Sequence, residues 1–263
     1  MYQHLIVENK SQVLQVVLNR PEVKNAMNAQ MIAELTEVFS GAMEDVRLLI
    51  LKGAGDFFCA GGDLNWMKSS VDKTPQENQE DAKNLGRMIR ALNECPVPVL
   101  TQVRGGAFGG GVGLVAASDI VLADERAKFS LSEVKLGLIP ATIGPIVMRK
   151  IGVSQARRLY LTGSRFSALE AKQIGLVHEA IPGASILSVT NDYIREFESA
   201  GPEAVRRAKK LIFEMQAGSL WNEDISETTS QILSEVRVGP EAQEGVSAFL
   251  QKRAPSWKAR LLP

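Results

Sequence analysis

The order of elements along the first 140 residues constrains this chain most. Short apolar, β-branched runs give way to glycine-rich turns and then to helix-forming stretches, repeatedly. Residues 3–7, 13–18 (VLQVVL), 47–52 (RLLILK), 99–103 and 120–123 read as strands. RLLILK is a continuous apolar run, which suits a parallel strand buried on both faces. The first two strands are joined by a polar NKSQ turn. A helix over 29–43 follows, with Asn28 as its cap. Thr74-Pro75-Gln76-Glu77 has the residues of a helix start, and Pro96 and Pro98 stop that helix near Cys95. The loop 105–111 opens a small-residue helix to about 117. Strand, glycine-rich loop and helix in this order are the signature of parallel α/β units.

Beyond residue 140 the pattern turns helical, over 144–150, 153–162, 167–174, 185–198, 202–217, 222–237 and 240–252, with little strand. Ser154, Ser167 and Ser185 are candidate caps. The division reads as a core at 1–200 and a helical region at 201–263. At 45% hydrophobic and 23% charged, the 263 residues support one large α/β domain. Net charge is zero, which argues against a dedicated nucleic-acid binder. It is nevertheless split: residues 1–140 carry 14 bases and 17 acids, and after Glu244 only Lys252, Arg253, Lys258 and Arg260 are charged. Cys59 and Cys95 make no disulfide framework, and His4 and His178 are too few for a histidine-based zinc site or an evident Ser/His/Asp triad. MYQHLIVENK has no basic leader or apolar signal core, and no apolar run reaches membrane-spanning length, so the expected location is cytoplasmic.

Chemistry concentrates in two loops. Residues 105–111 (GGAFGGG) follow a strand and open a helix, yet match neither a P-loop nor a dinucleotide fingerprint. Residues 59–64 (CAGGDL) also follow a strand. Glycines there let backbone N–H groups approach a ligand, which is the machinery of an oxyanion hole. Taken alone, such glycines more often serve close helix–strand packing.

Seven segments in order decide between these readings: LNRPEVKNAMN (18–28), FFCAGGDL (57–64), GGAFGGGVGL (105–114), SDIVLAD (118–124), FSLSEVKLGLIP (129–140), LTGSRFSALEAKQIGLV (161–177) and EGVSAFLQKR (244–253). Together they resemble the crotonase family of enoyl-CoA hydratases and isomerases. The resemblance implies a ClpP-like spiral of ββα units, a C-terminal helical trimerisation region, and a homotrimer or dimer of trimers. It implies an acyl-CoA thioester substrate, no metal and no cofactor beyond the coenzyme A of the substrate itself. It puts the oxyanion donors on the N–H groups of Gly62 and Gly110. Lys24, Ala26, Ala60, Asp63, Leu64 and Trp66 would contact CoA or the acyl chain. Phe249, Lys252 and Arg253 resemble the residues that close over CoA, often that of a neighbouring subunit.

Of the two glutamates usual in such hydratases, one falls on Glu133. The other falls on Gly113 and is missing. A single carboxylate serves either syn hydration or double-bond isomerisation, and decarboxylation or a non-catalytic role are further alternatives. Gly113, LIPATIGP and GGDLNWMK resemble the branch acting on methylglutaconyl-CoA and related branched thioesters. Such substrates carry a distal carboxylate, which calls for a base or a hydroxyl. Lys68 and Arg87 are candidates, though both read as surface residues. Asp119 reads as an internal pairing residue, Cys59 as a packed side chain, and Arg206, Arg207, Lys209 and Lys210 as a solvated helix face.

Overall fold

The computed structural model describes residues 2–216, 223–258 and 261. The chain opens with β1 (Leu5–Lys10) and β2 (Val13–Leu18), then α1 (Ala29–Ser40), β3 (Leu48–Gly53), α2 (Leu64–Ser69) and α3 (Pro75–Asn93). β4 (Val99–Val103), β5 (Gly106–Phe108), α4 (Gly110–Ala117), β6 (Ile120–Asp124) and β7 (Lys128–Ser130) follow. Next come α5 (Gly144–Thr162), β8 (Arg165–Ser167), α6 (Ala168–Gln173) and β9 (Glu179–Ile181). The remainder is helical: α7 (Ile186–Ser199), α8 (Pro202–Gln216), α9 (Glu223–Val238) and α10 (Pro240–Leu250).

The large sheet has the order β1-β2-β3-β4-β6-β9 and is parallel from β2 onward. A small sheet, β5-β7-β8, stands beside it. Each turn of chain contributes first to the large sheet and then to the small one. β4 leads to β5 and β6 to β7, while β3 leads to Cys59, which bridges Ala107 of β5. This is the spiral that the motifs implied. Its corners are tight: Gly105 sits at φ +63°, and a Cβ there would lie 2.2 Å from the Asp56 carbonyl oxygen.

The caps read from the sequence hold at Asn28, Thr74 and Ser167. Each side chain accepts a backbone N–H, and Glu77 completes a capping box at Thr74. Ser185 makes no such bond, and Ser154 lies within α5. The first hairpin turns in two residues instead of four, because Ser11 and Gln12 both adopt positive φ and let Lys10 pair with Val13. The two helices expected over 144–162 abut at Gly152, whose φ of 77° is not helical.

The middle of the large sheet, β3, β4 and β6, is buried on both faces, as its apolar strands require. One face packs Leu49, Leu51 and Val99 with Phe39 of α1 and Met88 of α3. The other packs Leu48, Ile50 and Leu122 with Ile194 of α7. The expected solvated face of α8 is corrected. Arg206 donates to the carbonyls of Met43 and Val46, and Lys209 Nζ donates to Val97 O and pairs with Asp119 at 2.6 Å. Positions 206 and 209 share one helical face, so the core takes those two. Arg207 and Lys210 turn outward and pair with Glu203 and Glu214.

His178 holds β6 from the side. Its N–H donates to Val121 O, and its Nδ1 accepts from Val121 N–H at 3.0 Å. Burial, and then the Lys150 charge, keep its pKa below the ordinary 6.5. A histidine neutral in the native state but protonated when unfolded loses stability as pH falls. We therefore expect unfolding free energy to decline as pH drops from about 6.5 toward the lower native pKa. Denaturant titrations at stepped pH should show this slope in the wild type and its loss in His178→Gln.

Candidate functional site

The segment 24–27 is the foundation of the site. Arg20 donates to Ala26 O at 2.6 Å and pairs with Asp63 at 2.9 Å. Buried Asn25 accepts from Arg20 N–H and donates to the carbonyls of Ala54 and Phe57. The CAGGDL loop then zips onto this segment: Ala60 N–H to Lys24 O, Met27 N–H to Gly61 O, and Asp63 N–H to Met27 O. These bonds use the peptides on either side of Gly62. Its own N–H is therefore turned the other way, where Gly62 lines a cavity. Asp63 fixes the loop's far end, accepting from the N–H groups of Asn65 and Trp66 at the start of α2. Burial works against its ionisation, but those bonds and Arg20 outweigh it and hold the carboxyl below the usual range.

The second donor comes from the start of α4. Gly109 caps this helix at φ 47°, and its N–H is taken by Ser130 O. Gly110 is the first helical residue, whose N–H has no partner within a helix. Gly62 and Gly110 line the same cavity of about 340 Å³, together with Glu133. Their convergence at Gly109 is tight. A Cβ built there would stand 3.2 Å from Glu133 Oε1 and 3.9 Å from Gly61 Cα. Two glycines, one of them the first residue of a helix, thus line the space that a carboxylate also lines.

Glu133 begins a short 3₁₀ turn, Glu133–Leu136. Its Oε2 is buried without a hydrogen-bond partner among the described residues. Burial pushes its carboxyl above the ordinary carboxylate range. An under-satisfied, half-buried carboxylate with a raised pKa beside the first turn of a helix is equipped to move protons. It is the cavity's one acidic side chain among the described lining residues.

The position of the missing glutamate is closed. A Cβ on Gly113 would lie 2.5 Å from Ile143 Cγ2 and 3.1 Å from Ile89 Cδ1. Ile143, in the LIPATIGP segment, is 2% exposed and occupies that space. The sequence showed the absence of an acid at 113 but not what replaced it. Ile143 carries no signal beyond being apolar, and nothing local to Arg20 marks it as the partner of Ala26 O and Asp63.

Ala60, Leu64 and Trp66 line the cavity as expected. Lys24, Ala26 and Asp63 do not. Lys24 is exposed, with its ammonium 5.8 Å from the centre of the Phe57 ring, and Ala26 is buried. Phe249, 82% exposed on α10, and Lys252 stand outside the lining of this chain's cavity. Arg253 is gripped through both nitrogens by Glu244, whose carboxyl it holds down at about 2. Arg260 lies outside the described residues. Arg87 pairs with Glu80 and, like Lys68, does not line the cavity. The polar side chains that do, besides Glu133, include the hydroxyls of Ser132 and Thr142. Cys59 is fully buried, its thiol pushed up to about 12, and it is packing, not a nucleophile. Among the described residues no helix is long and apolar enough to cross a membrane.

Known proteins are similar to this chain along nearly its whole length. The family model for enoyl-CoA hydratase/isomerase matches residues 8–260. The 2,3-dehydroadipyl-CoA hydratase of Escherichia coli K12 is 32% identical over 260 residues, spanning 97% of this chain and 99% of that protein. An enoyl-CoA hydratase from Shewanella pealeana superposes with a TM-score of 0.92 at 37% identity, covering 98% of this chain and 97% of its own. Pseudomonas aeruginosa AtuE superposes at 0.93 with 34% identity, covering 97% and 100%. An enoyl-CoA isomerase/hydratase from Mycosarcoma maydis is 30% identical over 260 residues, spanning 92% of this chain and 91% of that protein. With a crotonase spiral, and with Gly62, Gly110 and Glu133 lining one cavity, the chain belongs to the enoyl-CoA hydratase/isomerase family.

Proposed function

We propose that this protein adds water across the α,β double bond of an enoyl-CoA thioester, with Glu133 carrying both proton transfers. The thioester oxygen accepts from Gly62 N–H and Gly110 N–H. This polarises the conjugated system and leaves the β-carbon electrophilic. Ionised Glu133 takes a proton from water as its oxygen bonds to the β-carbon. The electron pair of the double bond shifts to join the α-carbon and the carbonyl carbon, and the carbonyl pair moves onto the thioester oxygen, giving an enolate held by the same two donors. Such donors contribute about 3–4 kcal/mol each in comparable sites. The protonated Glu133 then gives its proton to the α-carbon, on the same face, and is regenerated. One observation carries this reading: Glu133 is the one acid in the described lining, because Ile143 closes the position of a second.

Hydration is tested by following the loss of enone absorbance of a 2-enoyl-CoA. Unchanged absorbance, with conversion of a 3-enoyl-CoA, would establish isomerisation instead. The same assay yields a pH prediction. Glu133 acts first as a base, so kcat/KM falls on the acid side as it protonates. Because burial raises its pKa, that limb is expected above the ordinary carboxylate value near 4.5. A limb at or below that value would contradict the assignment.

For the acyl group we propose a branched glutaconyl thioester such as methylglutaconyl-CoA. The hydroxyls of Ser132 and Thr142 support it as partners for a distal carboxylate, in a described lining without lysine or arginine. Higher kcat/KM for methylglutaconyl-CoA than for crotonyl-CoA is the expected outcome. We place the protein in the cytoplasm and take 201–263 as the region through which chains associate into trimers, with Phe249 and Lys252 meeting a neighbour's CoA. Exposed Val238, Val246, Phe249 and Leu250 support that association.

A further inference from the structure

We infer that Ile143 is the specificity-determining wall of the acyl cavity, setting the size of the alkyl group accepted at the reacting double bond. The inference rests on the reading of the cavity as an acyl-CoA site. Position 113 lies one helical turn beyond Gly110, so the two share a face of α4. The space above that face, beside the oxyanion donor, belongs to Ile143. Its Cγ2 and Cβ would be 2.5 and 3.0 Å from a Cβ on Gly113. Ile143 also lines the cavity, so one side chain both fills the vacant glutamate position and bounds the substrate.

The wall is rigid. A β-branched side chain has little χ1 freedom. Its loop is bound within itself, Gly144 N–H to Pro140 O at 2.7 Å and Val147 N–H to Ile143 O at 3.1 Å. From outside, Tyr160 clamps it by donating its hydroxyl to Gly144 O at 2.6 Å. Burial pushes that phenol up to about 12, so it remains a donor throughout the working pH range. On the α3 side, Ile89 packs beneath the same spot and Thr142 Cγ2 is 3.5 Å from a Cβ built on Gly86. Ile143 is therefore backed on every side but the cavity, and its sec-butyl face presents an apolar boundary there. The ligand it fits is a thioester bearing a compact alkyl branch, such as methyl, at the β-carbon.

The test uses saturated acyl-CoAs, which bind without reacting. Affinities of butyryl-CoA and its β-methyl and β-ethyl homologues are measured by calorimetry on the wild type and on Ile143→Val and Ile143→Ala. A pocket discriminates a methylene by about tenfold or more. Ile143→Ala should therefore shift the ethyl-over-methyl affinity ratio at least tenfold toward ethyl, with Ile143→Val between. Gly113→Ala should push Ile143 into the cavity and weaken the branched ligands, and Ile143→Ala in the same chain should restore them. Equal changes for all three ligands, no measurable binding of any, or no rescue in the double variant would overturn the inference. Failure of the hydration assay with the ratio shift intact would instead discard the reaction and keep the wall.

Discussion

Glu133→Gln is expected to lower kcat by about 10³–10⁴-fold while leaving the melting temperature unchanged or higher. General acid–base groups contribute about 10²–10⁴-fold. Here one carboxyl supplies both transfers, so the loss belongs at the upper end. Glutamine keeps the shape of the side chain and the oxyanion donors, so affinity for a saturated acyl-CoA should change little. The stability half follows from burial. Glu133 binds its proton more tightly in the native state than in the unfolded chain, because burial disfavours the ion and Oε2 has no partner among the described residues. Its ionisation therefore opposes folding. That cost sets in as pH rises through the interval between the unfolded and native pKa values, and stays in full above it. Glutamine removes it, so the variant's advantage should appear at neutral pH and vanish in acid. Thermal melts at pH 4 and pH 8, beside the kinetic assay, check both halves. Turnover that survives the substitution would remove Glu133 from the mechanism; a large fall in melting temperature would make its role structural.

Gly105→Ala carries the largest expected effect on stability, about 2–6 kcal/mol. Gly105 turns the chain from β4 toward β5 at φ +63°, where a non-glycine residue pays about 1–3 kcal/mol in strain. The added Cβ would also stand 2.2 Å from Asp56 O, 2.8 Å from Phe57 Cδ2 and 3.1 Å from Phe57 Cα. Two of those three atoms are backbone, so relief requires moving the main chain at Asp56 and Phe57, at a further cost of about 1–3 kcal/mol. A domain of this size should lose on the order of 10 °C in melting temperature. The comparison is Gly137→Ala, also at positive φ but with open space around it, which should show only the conformational penalty. Equal destabilisation of the two would mean that the spiral's corners are not sterically tight.

Much of the architecture was legible because its signals are local. Val99–Val103 and the caps at Asn28, Thr74 and Ser167 depend on propensity and on bonds spanning three residues. The short strands β5, β7, β8 and β9 were not legible. Three residues hold no period, and each is a strand only because a neighbour from a distant turn lies beside it. Arg206 and Lys209 misled for the same reason: a basic run reads as solvated until the carbonyls of Val46 and Val97 are brought to it.

The candidate site divides the same way. The glycines at 62 and 110, the glutamate at 133 and the lack of an acid at 113 are written in the sequence, since they are matters of residue identity and order. Only the tertiary structure decided that Gly62, Gly110 and Glu133 line one cavity, that Oε2 of Glu133 is left without a partner among the described residues, and that Ile143 fills the space above Gly113. Each of these is a contact between segments far apart in the chain. Their free energy comes from desolvation and close packing, which no local pattern encodes.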